Sequence, residues 1–358
     1  MSSSSSYLHE AEIAQLAVQR AAILTKQVFL EKLKGTISKD DASPVTIGDF
    51  GAQALIIHAL RHNFPDDQIV GEEEADSLRT NSDLCEEIWQ RVRTTHLTDA
   101  TAEASLGGSI PSVSAMLDAI DEGNSSGGSR GRIWALDPID GTKGFLRGGQ
   151  YAVCLALMVD GEVKVGVLGC PNLPVDDSIP VTVESGYNQT SAEGNGVLIA
   201  AVSGQGATSR PLGTASLEPS KTIRMRPVPD IKLATFCESV ETGHSSHGHH
   251  HEIATKLGVT NPSVRMDSQA KYACLARGAA DIYLRLSVRA DYQEKIWDHA
   301  PGYLIVTEAG GTVTDFMGRR LDFSLGRTLA GNKGIVATSQ AVHGNVLNVV
   351  QTVLTSKI

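Results

Sequence analysis

Two aspartates and a hydroxyl side chain lie close together in the segment 132–142, which carries Asp137, Asp140 and Thr142. Its apolar first half, followed by Pro and Gly, is typical of a buried strand that leads into a tight loop. Carboxylates this close repel each other, and each holds its proton more tightly unless a positive group neutralises them. A hard divalent cation takes oxygen ligands from Asp, Glu and backbone carbonyls. The segment therefore predicts a magnesium site, although an isolated Asp-Pro-x-Asp-Gly sequence is more often a turn.

Three further acids, Asp49, Glu72 and Asp298, lie next to short apolar segments. They are scattered over about 250 residues, and their spacing alone indicates nothing. Asp49 also has a second interpretation. A helix is predicted at about Gly51–Asn63, and Asp is a common N-cap.

Several segments resemble a known family of phosphatases. Three of them, in this order, resemble the signature of the lithium-sensitive, magnesium-dependent superfamily of inositol monophosphatase and fructose bisphosphatase: Gly71–Glu73, Asp137–Thr142 and Trp297–Gly302. Four others most resemble the 3'(2'),5'-bisphosphate nucleotidases of fungi and plants: Thr142–Gly148, Gly243–His247, Asp267–Tyr272 and Tyr292–Asp298. The resemblance runs from the first predicted helix almost to the end of the chain, and it weakens at about 77–130 and 174–230.

The resemblance implies a metal-binding set for two or three magnesium ions. Glu72, Asp137 and the backbone carbonyl of Ile139 would hold one ion, and Asp137, Asp140 and Asp298 would hold a second. Glu72 would also contribute to a weaker third site. A carboxylate shared by two ions sets their separation near the ~4 Å of two-metal phosphoryl chemistry.

The resemblance also implies a catalytic pair, Asp49 and Thr142, which would orient and deprotonate the attacking water. A threonine hydroxyl is a poor base alone, so this role requires Asp49 to accept a hydrogen bond from Thr142.

Substrate contacts are implied at five positions: Thr142, His244, Ser268, Lys271 and Arg285. Lys and Arg suit phosphate groups, and Arg offers two-pronged donor geometry. Two structural alternatives stay open, since Ser268 could cap the helix that it begins and Arg285 could pair with a surface acid.

The histidine-rich tract 244–251 suggests zinc at first sight. His251-Glu252 begins like a metalloprotease helix, but Thr255 stands where the second His is needed, and no Cys pair with zinc-ligand spacing lies nearby. We expect an exposed approach to a helix whose first part contacts the substrate.

The implied activity is magnesium-dependent removal of the 3'-phosphate from adenosine 3',5'-bisphosphate. The sulfated analogue, 3'-phosphoadenosine 5'-phosphosulfate, is a second expected substrate, and lithium and sodium are expected inhibitors. Two alternatives remain: an inositol phosphate phosphatase with the same metal-binding residues, and a weakly catalytic, metal-dependent nucleotide-binding protein. The expected partner is the small nucleotide substrate, and the family branch favours a monomer.

Composition is compatible with this activity and limits the expected partners and the expected cellular compartment. A formal charge of −10 argues against general binding to nucleic acid or anionic membranes. The five cysteines are widely spread and odd in number, which indicates reduced thiols rather than a disulfide framework. No segment is apolar enough to span a bilayer, and the N-terminus lacks a secretory signal, so we expect a cytoplasmic protein.

The chain length of 358 residues predicts two packed lobes, and alternating helices and strands in the second half of the chain predict an α/β fold. We expect an α+β lobe over 1–172, with a variable, exposed loop at 77–130, and an α/β lobe over 173–358. Predicted elements include a helix at 8–33, a hairpin turn at Asp160-Gly161 and a helix at Trp297–Ala309. The resemblance implies alternating α, β, α, β and α layers with the active site between the lobes.

Overall fold

The structure is a computed structural model, and it describes residues 6–33, 44–182, 194–240, 247–286, 289 and 291–355. In its N-terminal half the elements are α1 (Leu8–Leu33), α2 (Pro44–Asn63), β1 (Gln68–Gly71), α3 (Asp76–Arg79), α4 (Ser82–Val92), α5 (Ala100–Ser105), α6 (Val113–Asp121), β2 (Arg132–Asp140), α7 (Thr142–Arg147), β3 (Ala152–Val159) and β4 (Glu162–Pro174). The C-terminal half adds β5 (Asn195–Val202), β6 (Gly206–Pro211), β7 (Lys221–Ile223), a 3-10 turn (Ile231–Leu233), β8 (Phe236–Glu238), α8 (His247–Leu257), β9 (Val264–Arg265), α9 (Ala270–Ala276), β10 (Ile282–Arg285), α10 (Ala300–Glu308), β11 (Gly311–Thr314), β12 (Ile335–Ser339) and α11 (His343–Thr355).

Two sheets organise the chain. The first has seven strands in the order β1 to β7, and all neighbours are antiparallel except the parallel pair β1–β2. The second has five strands in the order β11-β12-β10-β8-β9. Among the described residues, no helix is both long enough and apolar enough to cross a membrane.

The strand β2 shows why the sheets are covered on both faces. Trp134 and Leu136 pack in the core under α1 and α2, whereas Ile133 and Ala135 pack in the core that contains α9 and α10. A strand buried on both faces needs a continuous apolar run, which is what the sequence has at this point. The two faces of the first sheet therefore bind two different helical layers.

The second sheet repeats this arrangement. Its Tyr283 and Ala337 face the core of α9 and α10, and its Leu284 and Val336 face an outer core closed by α8 and α11. The order of layers is thus α1/α2, first sheet, α9/α10, second sheet and α8/α11. This confirms the αβαβα sandwich that the resemblance implied.

Several local predictions are confirmed. The first helix spans Leu8–Leu33 as predicted, and Asp160 and Gly161 form the turn between β3 and β4 with φ of 51° and 79°. The α10 helix ends before Gly310 as predicted, where φ is a left-handed 93°, but it begins at Ala300 and not at Trp297.

Other local predictions differ from the structure. The second helix begins at Pro44, seven residues earlier than predicted. The predicted loop at 77–130 is mainly helical, because it contains α4, α5, α6 and most of α3. The expected lobe boundary at 172 falls inside β4, and three further strands, up to Ile223, join the same sheet. The first sheet therefore includes β5, β6 and β7, which we had expected in the second lobe.

Candidate active site

A cavity of about 330 Å³ lies where the ends of β1 and β2 face the starts of α9 and α10. All the predicted site residues except Asp49 and His244 line it: Glu72, Asp137, Ile139, Asp140, Thr142, Ser268, Lys271, Arg285 and Asp298. His244 lies outside the described residues. The fold thus brings together side chains that are more than 200 positions apart in the sequence.

Three carboxylates form a tight cluster at the cavity. Asp137, Asp140 and Asp298 each offer an oxygen, and these atoms lie within 4.8 Å of one another. Residues i and i+3 of a regular strand point to opposite faces, but the pairing of β2 with β3 shifts register between Asp137 and Asp140. Such an irregularity re-aims side chains, and here it directs both carboxylates to the same side.

The carboxylates of the acidic cluster repel one another, and part of this effect is opposed by the charges of Lys271 and Arg285 at Asp140 and of Arg285 at Asp298. Burial raises the pKa of Asp137 well above its ordinary value, and the charges of Glu72, Asp140 and Asp298 raise it further. Burial likewise raises the pKa of Asp298, with Asp140 and Glu72 adding to the effect. The Oδ1 atom of Asp137 is buried and has no hydrogen-bond partner. Buried carboxylate oxygens without donors are expensive, so this set fits a bound divalent cation.

Glu72 faces the same cavity from the end of β1, and the backbone of the next residue, Glu73, is held by a side chain of α2. The amide side chain of Gln53 accepts a hydrogen bond from the Glu73 N–H at 3.0 Å and donates to the Glu73 carbonyl at 2.7 Å. Burial raises the pKa of Glu72, and Asp140 adds to this, while contact with Asp137 lowers it. The neighbouring Glu73 has a pKa raised to about 7 by burial and by Glu72.

Asp49 and Thr142, the predicted catalytic pair, occupy different environments. Asp49 is 8% exposed in the second turn of α2, so the alternative that it caps this helix is wrong. Burial, Glu73 and Glu72 raise its pKa well above the ordinary value. Thr142 is exposed at the start of α7 and lines the cavity. In the part of the chain that the structure describes, its hydroxyl does not hydrogen-bond to Asp49.

The wall opposite Glu72 carries the buried cation Lys271. Its ammonium group donates to the Ser268 carbonyl at 2.9 Å and lies 5.4 Å from the ring centroid of Tyr283. Burial lowers the pKa of Lys271. Ser268 has a left-handed φ of 66°, and its Oγ accepts a hydrogen bond from the Ala270 N–H at 3.1 Å. The N-cap position of α9 is occupied by Gln269, so Ser268 lies one residue before the cap and lines the cavity.

A chain of polar contacts fixes Arg285, and its three other members were not predicted. The Arg285 Nε donates to Glu294 at 3.0 Å, and the other Glu294 oxygen lies 3.2 Å from Nε2 of His299. The Nδ1 of His299 lies 2.9 Å from the Tyr272 hydroxyl. Glu294 is 5% exposed, so Arg285 pairs with a buried acid and not with the surface acid of the alternative interpretation.

Gln269 is a fourth residue that sequence reasoning missed. Its backbone N–H donates to Asp140 at 2.5 Å. Its side-chain amide donates to the Trp297 carbonyl at 2.8 Å and accepts from the Gly302 N–H at 3.0 Å. Gln269 thereby connects Asp140 to the backbone on both sides of Asp298. It lies in a segment that carried the resemblance, but nothing in its spacing indicated this role.

The described part of the histidine tract differs from the exposed approach that we expected. His249, His250 and His251 belong to α8, and His250 is 1% exposed with Nδ1 3.4 Å from Glu238. Within the described residues, the aspartate cluster is the group of potential metal ligands that comes together. All five cysteines are free and buried, which agrees with the predicted absence of a disulfide framework.

Comparisons with known proteins place the chain in a family. The model of the family described as "Inositol monophosphatase family" matches residues 8–355. A 3'(2'),5'-bisphosphate nucleotidase of Emericella nidulans is 63% identical over 349 residues, covering 98% of this chain and 99% of that protein. The protein of the same name in Schizosaccharomyces pombe is 48% identical, covering 94% of each chain. In Arabidopsis thaliana, 3',5'-bisphosphate nucleotidase 2 is 42% identical, covering 97% of each chain.

Solved structures agree on the fold. An inositol monophosphatase from Zymomonas mobilis superposes with a TM-score of 0.59 at 18% identity, covering 97% of this chain and 99% of that one. SuhB from Mycobacterium tuberculosis gives a TM-score of 0.57 at 18% identity, covering 96% of each chain. Both the family match and the layered fold confirm the resemblance found in the sequence, and the chain belongs to the inositol monophosphatase family.

Proposed function

We propose that this protein is a magnesium-dependent phosphatase that removes the 3'-phosphate from adenosine 3',5'-bisphosphate, giving AMP and phosphate. The observation that carries the proposal is the cavity itself, which joins a tight cluster of three carboxylates to a wall that contains Lys271 and Arg285. Relatives that are 42–63% identical over nearly the whole chain are named bisphosphate nucleotidases, which supports the nucleotide as substrate.

Magnesium fits the donor set, because the site offers only hard oxygen ligands. We propose that Glu72, Asp137, Asp140, Asp298 and the Ile139 carbonyl hold two to three ions. Bound magnesium would supply Lewis-acid chemistry, which makes a water more acidic and neutralises charge on the phosphate and the leaving oxygen.

The chain's own residues bind and orient the reactants in this proposal. Lys271 and Arg285 hold the anionic substrate, and the contact between Arg285 and Glu294 fixes the direction of the guanidinium. Thr142 and Asp49 orient the attacking water, whose oxygen bonds to phosphorus as the bond to the ribose 3'-oxygen breaks. Since their hydrogen bond is not formed in this structure, the pairing requires Thr142 to turn toward Asp49 when substrate binds.

The nucleotide assignment can be tested at Arg285. We propose that its guanidinium binds the 5'-phosphate, so Arg285→Gln should raise KM for adenosine 3',5'-bisphosphate much more than for 3'-AMP, which lacks that group. Arg226→Gln is a matched control, because Arg226 pairs with buried Asp281 at 2.7 Å outside the cavity. Equal effects of Arg285→Gln on both substrates would contradict the assignment.

Further properties belong to the same proposal. We expect activity toward 3'-phosphoadenosine 5'-phosphosulfate, which phosphate release from that substrate measures. We also expect inhibition by lithium and sodium, which phosphate release at a series of concentrations of each salt measures. Asp140→Asn or Asp298→Asn should abolish turnover, and full turnover in either variant would contradict the metal assignment. A monomer in the cytoplasm remains our prediction for the assembly and location.

A further inference from the structure

Arg327 lies outside the cavity, in the segment between β11 and β12, and it contacts both chain segments that present acids from opposite sides of the site. These segments are the end of β1, which presents Glu72, and the stretch before α10, which presents Asp298. The metal-binding, catalytic and substrate-binding roles proposed above do not involve either contact.

The first contact is made by the Arg327 guanidinium. Its Nη2 donates to the carbonyl of Gly71, the residue before Glu72, at 2.6 Å. Its Nη1 donates to the Ser125 carbonyl at 2.9 Å. Ser125 is itself held to β1, because its N–H donates to the Ile69 carbonyl at 3.0 Å. A single guanidinium thus caps carbonyls of β1 and of the loop beside it, where a two-pronged donor is needed.

The second contact is made by the backbone around Arg327. The Ile296 N–H donates to the Arg327 carbonyl at 3.2 Å, and the Leu329 N–H donates to the Glu294 carbonyl at 2.8 Å. The guanidinium also lies 4.9 Å from the ring centroid of Trp297, the residue before Asp298. These contacts fix the segment before α10 to the same arginine that holds the end of β1.

The electrostatic field of Arg327 also reaches the site. The charges of Arg327 and Lys295 both act on the Glu72 carboxyl and oppose the rise of its pKa that burial causes. Lys295 lies 5.5 Å from the ring centroid of Trp297. The contacts of Arg327 with Gly71 and with the segment before α10 are what hold the backbone beside Glu72 and Asp298.

We propose that Arg327 is a positioning residue that fixes the separation of Glu72 and Asp298 and thereby sets the affinity of the site for magnesium. This rests on the proposed function, because it requires the acids to bind the metal. Residues that orient metal ligands through a second layer of contacts typically change metal affinity by about 10–100-fold when they are replaced.

The test is calorimetric titration of the metal-free protein with magnesium alone, without nucleotide. Arg327→Gln should weaken magnesium binding by about tenfold or more. Saturating magnesium should restore most of the turnover that this variant loses at low magnesium. Arg327→Lys keeps the charge but cannot cap the carbonyls in the same way, so its affinity should lie between those of the wild type and Arg327→Gln.

Arg320→Gln is the matched control, because Arg320 lies in the same segment and bonds Glu162 and Tyr303 away from the cavity. It should bind magnesium as the wild type does. A merely structural role for Arg327 would lower the thermal midpoint and leave the magnesium affinity of the folded variants unchanged, and that result would overturn the proposal. Failure of the wild type to bind magnesium would instead overturn the proposed metal site.

Discussion

Replacement of Glu294 by Gln should destabilise the protein, because Arg285 and His299 hold its ionised carboxylate beside the cavity. Burial disfavours the ionised Glu294, but the hydrogen bond from His299 and the charges of His299 and Arg285 outweigh it, and the pKa falls from 4.5 to about 2. A tenfold change in an acid dissociation constant is worth about 1.4 kcal/mol, so the ionised form contributes about 3 kcal/mol at neutral pH. Because the folded pKa lies below the unfolded value, this contribution is present above about pH 4.5 and is lost as the pH falls through about 2.

The assay is urea-induced unfolding at pH 7 with a chelator present, so that no bound metal adds to the free energy of unfolding. Glu294→Gln keeps the shape of the side chain and should lower this free energy by about 3 kcal/mol, since it leaves the buried Arg285 charge uncompensated. Glu162→Gln is the control, because Glu162 forms an exposed ion pair with Arg320 that should contribute less than about 1 kcal/mol. A loss below about 1 kcal/mol in Glu294→Gln would refute the reasoning.

Three further variants probe the acids and the backbone around them. Asp137→Asn should abolish phosphate release and raise the thermal midpoint of the metal-free protein at pH 8. The reason is that a raised carboxyl pKa makes the folded state less stable as the pH rises above the unfolded value of 3.8; an unchanged midpoint would contradict this. Gly141→Ala should destabilise the protein by more than about 1 kcal/mol and lower kcat, because φ is 91° and the new Cβ would lie 2.8 Å from that of Ser268. The control is Gly131→Ala, since Gly131 has a φ of 79° and open space around it. It should lower the free energy of unfolding in a urea titration without loss of kcat. Gln269→Leu should lower the free energy of unfolding by about 2 kcal/mol, because two buried backbone groups at the start of α10 lose their partner. Wild-type stability in this variant would show that water replaces the amide.

The layered fold and most of the cavity lining were predicted through the family resemblance of a few sequence segments, since the spacing of the scattered acids indicated nothing by itself. The strand β2 is an exception. Its continuous apolar run predicts a buried strand, and the two aspartates at its end predict a metal site. The sequence could not show how Asp137 and Asp140 reach the same side, because the shift in register depends on the pairing of β2 with β3.

The helices α4, α5 and α6 were missed although their start signals are present. Asn81, Asp99 and Ser112 each cap one of them by accepting backbone hydrogen bonds. The helices are short, and the Ser-, Gly- and acid-rich composition around them is also that of loops, so composition outweighed the caps.

The contacts of Gln269 and Arg327 were beyond prediction for a different reason. Gln269 reaches Asp140 across 129 positions, and Arg327 reaches Gly71 across 256 positions. Side chains that act through backbone groups so far away leave no periodic or local pattern. Such residues become visible only when the fold brings the segments together.

The most direct test of the central claim is phosphate release from adenosine 3',5'-bisphosphate and from inositol 1-phosphate, measured side by side with magnesium, with a chelator and with added lithium. We predict strong preference for the nucleotide, with activity lost on chelation and inhibited by lithium. Preference for the inositol ester would retain the acidic metal site and contradict the proposed substrate. Binding of the nucleotide with magnesium but no release of phosphate from either substrate would contradict the enzymatic function itself.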